Sequence, residues 1–93
     1  MRLILYSKPG CHLCEGLQEK LEQIQNLSFE LEVRDITTRE DWFAAYEYEV
    51  PVLYLSNHRG AQDQEGSEKP LPRPSPRASV QQLEQMLRKY LAN

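Results

Sequence analysis

Hydrophobic and polar residues follow several different rhythms along this chain. Residues 2–7, RLILYS, are apolar on both sides of an extended backbone, the pattern of a strand buried within a sheet. Lys8-Pro9-Gly10 breaks that run. From about Cys11 to Gln25, Leu13, Leu17, Leu21 and Ile24 recur at intervals of four, four and three, which predicts one apolar face of a helix that stops near Asn26. Residues 28–34, SFELEVR, alternate strictly. Phe29, Leu31 and Val33 point one way and Glu30, Glu32 and Arg34 the other, as in a half-exposed strand. Thr38 with Asp41 three positions on resembles a capping box and opens a short helix to about Tyr46, its apolar contacts being Trp42, Phe43 and Tyr46. VLYLS, residues 52–56, reads as a third strand.

From Asn57 to Arg77 the pattern dissolves. Pro70, Pro72, Pro74 and Pro76 occupy every second position, which no central strand tolerates because each proline removes a ladder donor. Any strand in this stretch is short and at an edge, around residues 61–68. The prolines never fall three apart, so no P-x-x-P ligand motif is present, and a stiff extended loop is the simpler account. Ser79 and Gln82 form a second capping-box pattern, followed by a helical stripe of Val80, Leu83, Leu87, Tyr90 and Leu91. The order β-α-β-α-β-(β)-α predicts an α/β domain spanning 1–93. Its first two strands run parallel through a right-handed crossover, its later strands form a hairpin, and helices cover both faces of a small mixed sheet of three to four strands.

Composition narrows the function. Ninety-three residues leave room for one core, and 40% hydrophobic with 27% charged residues suits a soluble globular protein. The net charge of −3 carries no basic excess, so nucleic acid is not the expected partner. The longest apolar run near the start, Leu3 to Tyr6, is too short for a membrane span or a signal-peptide core, and the expected location is the cytoplasm, with no membrane association. Two cysteines are too few for a secreted disulfide scaffold of this size.

Those two cysteines, Cys11 and Cys14, form a C-x-x-C pair at the junction of the first strand and first helix. Unpaired amides and the helix dipole stabilise a thiolate there and pull its pKa below the free value of about 8.5; the thiolate is the nucleophile. Cys14, one turn on, lies on the same helix face and is expected to be the less exposed of the two. Lys8 and His12 add nearby positive charge, Glu15 and Glu19 oppose it from further along, and the dipole wins at Cys11 because it acts within the first turn. The arrangement suits dithiol–disulfide exchange, with Cys11 attacking and Cys14 resolving. Inert buried cysteines and a metal site are the other readings of such a pair. Zinc needs about four ligands, and only Cys11, Cys14, His12 and His58 stand out, His12 being poorly aimed from between the cysteines.

YSKPGCHLC at the end of the first strand, with EVPVLYL after the second helix, resembles a glutaredoxin-like member of the thioredoxin superfamily. The resemblance covers residues 1–56, and 79–92 by pattern only. It implies that Pro51 is cis and sits against the cysteines, that the backbone at Val50 pairs with an extended thiol substrate such as glutathione, and that Lys8 meets a glutathione carboxylate. Two features depart from the glutaredoxin pattern. His12-Leu13 stand between the cysteines where glutaredoxins usually carry Pro-Tyr, and PRPSPRAS replaces the Gly-Gly turn and acidic residue before the last helix. Arg73, Arg77 and the helix start at Ser79 are candidate replacements for holding a carboxylate.

The function expected on these grounds is that of a thiol–disulfide oxidoreductase, catalytic at Cys11 and Cys14, with Lys8, His12, Val50 and Pro51 facing the substrate. It requires no metal or organic cofactor, takes glutathione as a co-substrate, and acts as a monomer on a disulfide-containing protein or a glutathione mixed disulfide. The alternative is a binding module of the same fold, docking a protein partner or a glutathione-ligated iron–sulfur cluster with little turnover. Tyr48, between Glu47 and Glu49, is expected at the surface near the site.

Overall fold

The computed structural model describes residues 2–56 and 68–91. Strand β1 (Arg2–Ser7) leads to helix α1 (His12–Glu22), strand β2 (Glu30–Asp35), a 3-10 turn (Ile36–Thr38), helix α2 (Glu40–Tyr46), strands β3 (Val52–Ser56) and β4 (Glu68–Pro70), and helix α3 (Val80–Leu91). The sheet order is β2-β1-β3-β4. β1 pairs in parallel with β2, Arg2 opposite Glu30 through Ser7 opposite Asp35, and antiparallel with β3, Leu5 opposite Leu53. β3 and β4 are antiparallel neighbours. This is a thioredoxin-like fold.

The central position of β1 explains its uninterrupted apolar run. Leu3 and Leu5 face one side, where α1 contributes Leu17 and Leu21, α3 contributes Leu83 and Leu87, and Leu53, Leu55 and Leu71 complete the cluster. Ile4 and Tyr6 face the other side, where Ile36 and α2 residues Trp42, Phe43 and Tyr46 cover them. The backbone of Leu71 also donates to Leu53 O at 2.9 Å, which extends the β4 edge beyond Pro70.

Several elements differ from the pattern reading. The helix after the cysteines ends at Glu22, short of Gln25, and Leu13 in its first turn does not join the core: it is 56% exposed. The edge strand falls at Glu68–Pro70, with Pro70 opposite Tyr54, on the outermost strand where a missing donor costs no ladder bond; residues 61–67 of the expected strand lie outside the described residues. Thr38 does not cap α2. Its hydroxyl donates back to Asp35 O at 2.7 Å, while the Asp35 carboxylate accepts from Thr37 N and Oγ1 at 2.9 and 2.6 Å and so caps the 3-10 turn. The residue before α2 is Arg39, which has no capping side chain and instead grips Asp41. The capping box of α3 forms in both directions, Gln82 N to Ser79 Oγ at 3.1 Å and Ser79 N to Gln82 Oε1 at 2.9 Å.

On the α2 side of the sheet, Arg34 packs beside two aromatic rings. Its guanidinium lies 5.5 Å from the Tyr6 ring centroid and 5.3 Å from that of Trp42. It also donates to Glu32 at 2.7 Å and to the Tyr6 hydroxyl at 2.8 Å. The Arg34 hydrogen bond holds the Glu32 carboxyl below the usual carboxylate range. The Tyr6 hydrogen bond ties β2, the other edge strand, to β1, and the Trp42 ring contact ties it to α2.

Candidate active site

The cysteines are presented by a turn whose geometry follows from two residues. Cys11 N donates to Lys8 O at 3.2 Å, closing a four-residue turn with Pro9 and Gly10 at its centre. Gly10 has φ of +81°, the left-handed value that the third position of a type II turn requires, and proline pre-sets the second position. A Cβ added at Gly10 would meet no atom within 4 Å, so alanine there is opposed by backbone strain alone. Gly10→Ala is expected to cost about 1 kcal/mol, read as a lower denaturant midpoint with an unchanged slope.

Cys11 leaves the turn extended, with φ of −91° and ψ of 103°, and is the N-cap of α1. Its Sγ accepts from the Cys14 amide at 3.1 Å, the position a serine or aspartate oxygen takes in an ordinary cap. The sulfur therefore stands where an unpaired helix amide and the positive end of the dipole meet, and both favour a negative charge on it. Cys14 is 1% exposed and Cys11 is half-buried, so an incoming sulfur reaches Cys11 first. The two are joined as a disulfide with their Cα atoms 5.2 Å apart.

The other candidates separate around this pair. The Val50–Pro51 peptide bond is cis. The Val50 amide is already engaged, donating to Tyr46 O at 3.1 Å. His12 is 94% exposed at its side chain, with Nδ1 3.8 Å from Glu15 Oε1. His12, Val50 and Pro51 line one groove of about 420 Å³, together with Leu13, Gly16, Leu17 and Lys20 of α1 and residues 73–76 of the proline tract. Lys8 is not among the residues of that groove; its ammonium donates to Glu47 O at 3.3 Å. Tyr48 is 87% exposed.

The groove gives Leu13, Lys20 and Arg73 places that differ from their reading in the sequence. Leu13, assigned to the core, is a groove wall. Lys20 clamps α1 to the proline tract by donating to Pro76 O at 3.0 Å and Ala78 O at 2.6 Å. Arg73 donates to Glu49 O and lies 3.5 Å from the Glu49 carboxylate, which joins the tract to the segment before Pro51. The acceptors are backbone carbonyls far along the chain, and residue type at Lys20 or Arg73 carries no trace of them. Among the described residues, no group of three or more His, Cys, Asp or Glu side chains is close enough to hold a metal ion, and no helix is long and apolar enough to cross a membrane.

Comparison with known proteins agrees with this geometry. No curated protein matches the chain. An X-ray structure of the structural-genomics target protein XcR50 from X. campestris is similar to it, with 28% sequence identity, a TM-score of 0.56, and coverage of 94% of this chain and 96% of that one. The family described as Glutaredoxin-like domain (DUF836) matches residues 2–88. With its C-x-x-C pair capping the first helix of a thioredoxin-like fold, the chain belongs to this glutaredoxin-like domain family.

Proposed function

We propose that the protein is a thiol–disulfide oxidoreductase that uses Cys11 as nucleophile and Cys14 as resolving thiol. The observation that carries this reading is the Cys14 amide aimed at Cys11 Sγ on the more accessible of two bonded cysteines. In the reduced protein, the Cys11 thiolate attacks one sulfur of a substrate disulfide. A Cys11–substrate S–S bond forms, the substrate S–S bond breaks, and the departing thiolate takes a proton from water. Cys14 then loses its proton and attacks Cys11 Sγ, which closes the internal disulfide and releases the second substrate thiol. The substrate gains two electrons and two protons, and the protein loses them. A thiol donor, with glutathione as the co-substrate the resemblance suggests, resets the dithiol.

None of these steps requires a metal or an organic cofactor. The chemistry suits a reducing compartment, for which the cytoplasm is the natural choice, and a monomer suffices because both sulfurs lie on one helix. Lys8 contributes positive charge around the turn, and His12 and Val50-Pro51 shape the substrate side.

The test is a trapping experiment. Cys14→Ser protein, reduced and mixed with a peptide disulfide, is expected to accumulate a mixed disulfide at Cys11 with the mass of one peptide half. Wild-type protein under the same conditions is expected to end as the internal disulfide. An adduct found elsewhere, or none, contradicts the assigned roles.

A further inference from the structure

The groove beside the cysteines has the chemistry to choose among disulfides, and this inference rests on the oxidoreductase reading above. We propose that it takes an uncharged, apolar segment flanking a cysteine of a protein disulfide, in preference to glutathione. The groove starts at the residues between the two cysteines, His12 and Leu13, and runs along α1 to the proline tract. Cys11 and Cys14 flank those two residues in sequence without lining the groove themselves, and the proposed occupant is the segment next to the sulfur that Cys11 attacks.

Charge decides against glutathione, a tripeptide with two carboxylates and a net negative charge. Binding it needs cations or helix amides that are not already spent. Lys8 is committed to Glu47 O. Lys20 is committed to Pro76 O and Ala78 O, and Arg73 to the carbonyl and carboxylate of Glu49. The start of α3 is closed by its own Ser79–Gln82 box. Arg77 does not line the groove. An incoming carboxylate would compete with Glu49 for Arg73. A neutral apolar group displaces nothing, and it covers Leu13, the large side chain that the fold leaves 56% exposed here. Pro51, Pro74 and Leu17 supply the remaining apolar wall.

The reaction is the one already written: Cys11 attacks the cysteine sulfur next to the apolar segment, the partner cysteine leaves as a thiol, and Cys14 completes the two-electron reduction. The groove alters only which disulfide is held.

The experiment is single-turnover reduction by the fully reduced protein of two probes. One is the disulfide-linked dimer of an end-blocked peptide with leucine beside its cysteine, and the other is glutathione disulfide. Each rate is divided by that of dithiothreitol with the same probe, to remove intrinsic reactivity. The expected result is a normalised rate about tenfold higher for the peptide, with the ratio falling towards one in Leu13→Ala, a surface substitution that leaves the core intact. Equal rates, faster glutathione disulfide, or a ratio indifferent to Leu13→Ala would overturn the proposal while leaving the oxidoreductase reading standing. If the protein reduces neither probe, the oxidoreductase reading falls and the groove assignment falls with it.

Discussion

Cys11→Ser should abolish disulfide reduction without unfolding the protein. Serine is among the best helix N-caps, so its hydroxyl can accept from the Cys14 amide as Cys11 Sγ does at 3.1 Å, and α1 keeps its start. A hydroxyl at that position stays protonated at neutral pH and forms no disulfide, so the first step is lost outright rather than slowed. The measurement is steady-state reduction of a peptide disulfide beside a circular dichroism spectrum and thermal melt of the same sample. The expected outcome is a rate equal to that of the thiol donor alone and a native spectrum. Residual turnover well above that background would show that Cys14 can act by itself, which its 1% exposure argues against.

The second large effect lies in the sheet. Leu5→Ala should lower stability by about 3 kcal/mol, the usual loss when a buried leucine is truncated and the space only partly refills. Leu5 is fully buried on the central strand, between Val33 of β2 and Leu53 of β3, in the cluster that joins α1 and α3 to the sheet. Small domains hold only about 5–15 kcal/mol in total. For a chain of this length the loss corresponds to a drop in Tm of roughly 12–20 °C. Leu13→Ala, on the exposed groove wall, should stay within about 0.5 kcal/mol of wild type. Urea unfolding of both variants checks the pair: the midpoint of Leu5→Ala should move far and that of Leu13→Ala little. Equal shifts would mean that the sheet core is misplaced.

The comparison of Leu5 with Leu13 also shows what the sequence could reveal. Period and punctuation located β1, β3 and α3 closely, because a run apolar on both faces, a V-P break and a capping box each have one economical reading. The dithiol was legible for the same reason: Pro9 and Gly10 dictate a turn, and the turn delivers Cys11 to a helix start. Periodicity failed at Leu13 because helical spacing identifies a face but does not say where along the helix the sheet stops covering it. Thr38 was misread because Asp35, three residues earlier, competes for the same hydroxyl and wins it for the 3-10 turn. Arg34 meets Tyr6 and Trp42 only once β1, β2 and α2 are assembled, so its alternation in β2 reads simply as exposed. The clamps made by Lys20 and Arg73 are invisible for a related reason. Their acceptors are carbonyl oxygens, which every residue has.

Those clamps shape the groove, but the account stands or falls on the sulfur chemistry of Cys11 and Cys14. The direct measurement is to equilibrate the protein across a series of glutathione redox buffers, quench with acid, and read the dithiol, the internal disulfide and any glutathione adduct by intact mass. The expected result is a reversible two-electron interconversion of Cys11 and Cys14, with a midpoint between roughly −120 and −270 mV, the span of catalytic dithiols. Absence of an internal disulfide at every poise would contradict it, and would leave the thioredoxin-like fold as a scaffold for binding rather than for exchange.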